Sequence, residues 1–281
     1  MSLLHYITWN VDPEIFSLGP LTIRWYGLFF ALAFVFGQII MSKMYVAEGR
    51  TEGDVDVLTL YMIIGTVIGA RLGHTLFYAP DYYLSNPIEI LKIWEGGLAS
   101  HGATIGILLA LWLFSRKQKF DYMWVLDRIV VVVALGGAFI RLGNLMNSEI
   151  FGHPTDLPWG FIFLRSTEFS QVPRHPTQLY ESLAAFLLFV LLYGLWLKKK
   201  SELPRGLLFG IFVTVLFSFR FLVEFLKENQ EAFEDTMALN MGQLLSIPLI
   251  LVGIAILIKV IINPKPALPG GRLPDSPAKS K

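Results

Sequence analysis

The sequence predicts an all-α polytopic membrane protein with seven transmembrane helices and a small periplasmic cap. Three observations lead there. The 281 residues are 54% hydrophobic and only 16% charged, with a mean hydropathy of +0.56, and such an apolar excess belongs to chains that live in a bilayer. Seven stretches are long and apolar enough to cross about 30 Å of hydrocarbon at about 20 residues each. Lysine and arginine crowd alternate connections, the asymmetry that orients membrane proteins.

Residues 1–20 are polar and aromatic, lack a basic start, and run into an apolar stretch too long for the core of a signal peptide. The first span is therefore expected to remain in the mature chain. The predicted spans are 21–44, 57–78, 98–115, 123–146, 178–197, 206–225 and 241–262. The third is the least regular, because Gly96, Gly97, His101 and Gly102 crowd its start. One set of connections holds Lys43 and Arg50, then Arg116, Lys117 and Lys119, then Lys198, Lys199, Lys200 and Arg205, then a basic tail. The opposite set holds only Lys92, Arg165, Arg174 and Lys227, with many acids. The basic side is expected to be cytoplasmic, with the N-terminus outside and the C-terminus inside.

The connection 147–177 carries Pro154, Pro158, Pro173 and Pro176 with Trp159, Phe161 and Phe163. It reads as an ordered periplasmic cap within a transmembrane domain of residues 1–263, and WGFIFL as a short strand. From Pro264 to residue 281 the chain is rich in proline, glycine and lysine and is expected to be a disordered cytoplasmic tail.

Composition excludes several chemistries. With no cysteine there is no disulfide, no thiolate catalysis and no Cys-based metal site. The five histidines show no spacing typical of metal ligands, so neither a metal nor another cofactor is called for. A net charge of +1 without a basic stripe gives no footprint for nucleic acid.

Polar residues inside the spans gather toward one side. Arg24, Trp25 and Tyr26 open the first; Arg71 and His74 close the second in GARLGHTLFY; His101 opens the third in EGGLASHGATIG. Gln178, Tyr180 and Glu181 begin the fifth in RHPTQLYE, and Arg220 and Glu224 end the sixth. The densest set ends the fourth, in IRLGNLMNSEIFG: Arg141, Asn144, Asn147 and Glu149, with Gly143 and Gly152. In the orientation above, all lie toward the outer leaflet. Each has a plainer structural reading. Arg141 and Glu149 form a buried ion pair, Arg220 and Glu224 an intrahelical pair, Arg24 snorkels, Arg71 with His74 ties helices together, His101 is a satisfied core histidine, and Gln178 and Glu181 cap a helix entered at Pro176. Taken together, arginines facing a membrane cavity suit a phosphate, whose oxygens match guanidinium forks. At the outer leaflet that means a phospholipid headgroup, with a histidine to accept a proton.

At these residues the sequence resembles the prolipoprotein diacylglyceryl transferase family. The family signature Gly-Arg-x-Gly/Ala-Asn-Phe-hydrophobic-Asn-x-Glu-x-x-Gly is met by Arg141, Gly143, Asn144, Met146, Asn147, Glu149 and Gly152, with Ile140 and Leu145 as departures. The resemblance extends through IRWYG, GARLGHTLFY, GGLASHG, HPTQLYE, the Arg220–Glu224 pair and NMGQLLSIP. Leu216 stands where the family pattern has a tyrosine one turn before the arginine. The resemblance implies an enzyme of the bacterial inner membrane that moves the diacylglyceryl group of phosphatidylglycerol to the lipobox cysteine of a preprolipoprotein signal peptide. It also implies that Arg141 and Arg220 hold the phosphate, with Tyr26, Asn144, Asn147, Glu149 and Gly152 shaping the lipid site. Glu149 and Glu224 would orient the arginines, and His101 is the candidate base. A phospholipid-binding transporter or scramblase is the alternative, and it calls for polar groups spread through the bilayer midplane.

Overall fold

A computed structural model describes residues 6–19, 21–93, 96–166, 171–229, 234, 236–266 and 268–272. Among the described residues eight α-helices carry the architecture: α1 (Trp25–Ala47), α2 (Glu52–Phe77), the short α3 (Pro80–Ser85), α4 (Ser100–Lys117), α5 (Tyr122–Met146), α6 (Thr177–Lys199), α7 (Leu207–Val223) and α8 (Met241–Ile262). Six of them are long and apolar enough to cross a membrane. The chain is thus a mostly helical, multi-pass membrane protein. The expected third span, 98–115, corresponds to α4, which falls outside that set. Its 18 residues start at Ser100-His101-Gly102 and end on Arg116 and Lys117, so polar groups dilute both ends.

The chain divides into two compact units. The first comprises residues 1–40 and 127–265. Its strand β1 (Ile7–Trp9) pairs in parallel with β4 (Phe161–Phe163), while β2 (Glu14–Leu18) and β3 (Leu21–Arg24) form a hairpin. The strand expected at WGFIFL is therefore β4. Its edge partner comes from the N-terminal segment, where the sequence showed no strand alternation. Phe161 and Phe163 pack with Leu145 and Phe151, and the Trp9 indole donates to the Leu145 carbonyl at 3.0 Å. In the same unit Ser182 on α6 donates to the Ala138 carbonyl of α5 at 3.0 Å. Asp127, fully buried on α5, accepts the backbone N–H groups of Gly206 at 2.7 Å and Phe209 at 2.9 Å. A carboxylate from one helix thereby satisfies the orphan donors that open α7.

The second unit comprises residues 41–126 and 266–281. Gly65, Gly69 and Gly73 on α2 face Gly102 and Gly106 on α4, so closely that a Cβ on Gly65 would lie 2.7 Å from the Gly106 carbonyl. Small residues at helical spacing let two backbones touch, which is how helices associate where water gives no drive. Thr51 and Asp54 form a reciprocal capping box at the start of α2. The tail differs from expectation over its first part. The Asp121 N–H donates to the Gly271 carbonyl at 2.6 Å, Gly271 lies against Trp124, and Arg272 bridges to Phe120. Two consecutive left-handed glycines, Gly270 and Gly271, make that close seat possible. Residues 273–281 lie outside the described residues.

The glycine seam yields a direct test. Gly106→Ala places a methyl group into the Gly65 carbonyl and is expected to destabilise the protein by about 1–3 kcal/mol, read as a lower Tm in detergent. Gly194→Ala, where nothing lies within 4 Å, should leave Tm unchanged or slightly raised.

Candidate active site

The signature segment follows α5 through a turn in which Ser148 and Ile150 both hold positive φ, 54° and 60°. A β-branched residue in that region is strained by about 1–2 kcal/mol. Two fully buried side chains at the start of α6 hold the turn. Thr177 donates to the Ile150 carbonyl at 2.9 Å and Gln178 to the Glu149 carbonyl at 2.6 Å. The helix-capping reading of HPTQLYE is corrected here, because α6 has no side-chain cap hydrogen bond and these residues reach the signature turn instead.

From that turn a chain of charges runs across the first unit. The Arg141 guanidinium donates to Asn144 Oδ1 at 3.2 Å, and Asn144 Nδ2 donates to Glu149 Oε1 at 2.7 Å. Asn147 Nδ2 reaches the same oxygen at 3.2 Å. Arg141 Nε lies 3.1 Å from Glu181 Oε2, so the ion pair expected with Glu149 is made with Glu181. Lys227 Nζ lies 3.9 Å from the other Glu181 oxygen and 2.9 Å from Glu224 Oε1. Arg220 approaches that Glu224 oxygen at 3.7 Å, and Asn240 Nδ2 donates to Glu224 Oε2 at 3.2 Å. Arg141 and Arg220, from different helices, are thus ends of one network. The side chains grade from open to closed: Arg220 is 41% exposed, Arg141 21%, Glu181 8%, Glu224 7% and Lys227 1%.

Glycines set the spacing. A Cβ on Gly143 would sit 2.7 Å from the ring of half-buried Tyr26, and one on Gly242 would sit 2.7 Å from the Glu224 carboxyl. Gly152 lies against the Leu226 carbonyl and the side chains of His175 and Thr177. Leu216, on α7, offers no hydroxyl beside Arg220.

His101 belongs to the second unit, exposed on the first turn of α4 with the rings of Phe77 and Tyr78 centred 5.4 Å and 5.8 Å away. There Arg71, 4% exposed, donates to the carbonyls of Ile90 at 2.8 Å, Gly96 at 2.6 Å, Gly97 at 3.3 Å and Glu89, and it lies over the Tyr83 ring. Its role is structural, pinning the connection before α4. Arg24 pairs at the surface with Glu14 at 3.2 Å and is not part of the network.

The match to the prolipoprotein diacylglyceryl transferase family model covers residues 13–259. The chain belongs to the prolipoprotein diacylglyceryl transferase family. Relatives named phosphatidylglycerol–prolipoprotein diacylglyceryl transferase include that of Chloroherpeton thalassium, 50% identical over 93% of this chain and 97% of its own length. That of Tolumonas auensis is 49% identical over 89% and 96%, and that of Porphyromonas gingivalis 48% over 94% and 98%. No relative among these carries a transporter's name.

Within this family the sequence reading gave no site role to Glu181, Lys227 and Asn240, which belong to the network. Lys227 read as an outer-loop charge, although a lysine three residues after a helix-ending glutamate is a signal for a local pair.

Two tests follow from the geometry. Gly152→Ala drives a methyl group into the Leu226 carbonyl and is expected to abolish activity while Gly194→Ala does not, measured on detergent-purified protein. In the segment before α6, His175 contacts the Tyr180 hydroxyl at 3.3 Å, beside His153, which pairs with Glu228 at 3.2 Å; Glu228 also pairs with Arg174. Burial, and then the charge of His153, hold His175 below the ordinary histidine value. The unfolded chain therefore takes up the proton first, and stability present above about pH 6.5 is lost as pH falls toward the folded value. His175→Phe should reduce this acid-side fall in Tm; identical pH curves would contradict it.

Proposed function

We propose that this protein transfers the sn-1,2-diacylglyceryl group of phosphatidylglycerol to the lipobox cysteine thiol of a preprolipoprotein signal peptide, the first step of bacterial lipoprotein maturation. The observation that carries this reading is the joining of Arg141 and Arg220 through Glu181, Lys227 and Glu224; the names of relatives at 48–50% identity support it. The substrate thiolate attacks the glyceryl carbon next to the phosphate. The C–O bond breaks, a C–S thioether forms, and glycerol phosphate leaves with the electron pair. The nucleophile belongs to the substrate, which fits a chain without cysteine.

A free thiol has a pKa near 8.5, so it needs a base or a positive field. His101 is assigned as that base. Arg141 and Arg220 grip the phosphate and stabilise the charge that grows on it as the bond breaks. Asn144 and Asn147, both held by Glu149, bind the headgroup glycerol, with Tyr26 lining the pocket beside Gly143. Glu224 orients Arg220, and Gly152 fixes the turn. In this reading α4 also spans the membrane, as the third of seven spans, residues 147–177 form a periplasmic cap, and the protein lies in the inner membrane with its N-terminus outside and its C-terminus in the cytoplasm. The lysine and arginine distribution supports that orientation.

Purified protein given phosphatidylglycerol and a lipobox peptide is expected to yield the thioether, and absence of product overturns the assignment. Arg141→Lys keeps the charge but loses the fork, and is expected to cost roughly 10–100-fold in kcat/KM; full activity of the lysine variant removes bidentate recognition. His101→Gln is expected to lower kcat by about 10²–10⁴-fold. Near wild-type turnover with an unchanged pH profile would remove His101 from proton transfer.

A further inference from the structure

Lys227 is the cation in this network to which the mechanism above gives no task. It is almost fully buried, although lysine is among the residues least often buried. Its placement is not incidental. The segment around it is pinned to the signature segment, His153 N–H donating to the Leu226 carbonyl at 2.8 Å and Gly152 bridging to Lys227 itself. Gly152 must lack a side chain for the two segments to lie so close. The ammonium so delivered touches both carboxylates that touch the arginines, Glu224 at 2.9 Å and Glu181 at 3.9 Å.

Consider the charges without it. Two guanidiniums would face three carboxylates, Glu149, Glu181 and Glu224, and a site meant for an anion would carry net negative charge. With Lys227, three cations balance three carboxylates, and the negative charge that would repel an anion is removed. The lysine is the most enclosed member and Arg220 the most open, so the inner carboxylate charge is balanced from within and Arg220 is left facing the side a ligand can reach. In a low-dielectric site one unit of charge acts strongly on an anion a few ångströms away.

We propose that Lys227 is a positioning residue for the headgroup phosphate: it pairs with Glu181 Oε1 and shares Glu224 Oε1 with Arg220, so that these carboxylates orient Arg141 and Arg220 without neutralising them. The inference rests on the diacylglyceryl transfer reading. It assigns a role to the segment after α7 and explains why the charge network includes a buried ammonium held on two carboxylates.

The test compares Lys227→Arg, Lys227→Gln and the double variant Lys227→Gln with Glu181→Gln, each assayed with phosphatidylglycerol and a lipobox peptide. The glutamine keeps a hydrogen-bond donor and removes the charge. Lys227→Gln is expected to raise KM for phosphatidylglycerol about tenfold or more and to weaken inhibition by added glycerol phosphate by a larger factor, because that ion carries more charge. Lys227→Arg should stay within a few-fold of wild type. The double variant removes one charge of each sign and should recover most of the lost affinity. A merely structural lysine would instead lower the yield of folded protein or kcat with KM unchanged. An unchanged KM in Lys227→Gln, or a raised KM that the double variant does not relieve, overturns the proposal. Should the single variant not fold, the double variant decides alone: KM near wild type supports the charge balance and a tenfold rise refutes it. Inactivity of the wild-type protein in the same assay would instead refute the transfer reading.

Discussion

A lysine shared between two glutamates, out of reach of water, is the constraint on which the site depends. Moving such charges from water costs several kcal/mol per ion, and only near-complete pairing offsets the cost. Glu181 enters from α6, Glu224 from the end of α7, and Arg141 from the end of α5. None of these helices can shift alone without stranding a buried charge. The glycines at 143, 152 and 242 are the places where backbone or rings come close enough for the pairs to form. Substituting any of them disturbs electrostatics through sterics.

The same logic explains the strained turn after α5. Left-handed Ser148 and Ile150 are unfavourable by themselves, and the buried Thr177 and Gln178 hydrogen bonds hold them. That turn aims Glu149 back at Asn144 and Asn147, so the asparagine amides are fixed in one direction before any ligand arrives. Preorganised donors of this kind are worth more to a reaction than donors that must reorient.

Much of this was legible in the sequence. Hydropathy located every long helix, and the rarity of charge in the spans singled out Arg141, Asn144, Arg220 and Glu224. The identity of the ion-pair partners was not legible. Glu149 is nearer to Arg141 along the chain, yet Glu181 pairs with it, because the distance in space is set by how α5 and α6 meet. Lys227 looked like an ordinary loop charge, since burial of a residue just past a helix depends on the distant segment Phe151–His153. The N-terminal strands were missed for a related reason: Ile7–Trp9 is too short to show alternation, and its partner lies at Phe161–Phe163. The tail's packing up to Arg272 rests on a carbonyl and a pair of glycines that composition alone reads as loose.

The central claim is that Arg141 and Arg220 act on one phosphate. A structure with phosphatidylglycerol bound tests it most directly. The account predicts that both guanidiniums lie within hydrogen-bond distance of the headgroup phosphate while Lys227 stays on the two glutamates. A phosphate held by only one arginine, or by neither, would contradict it.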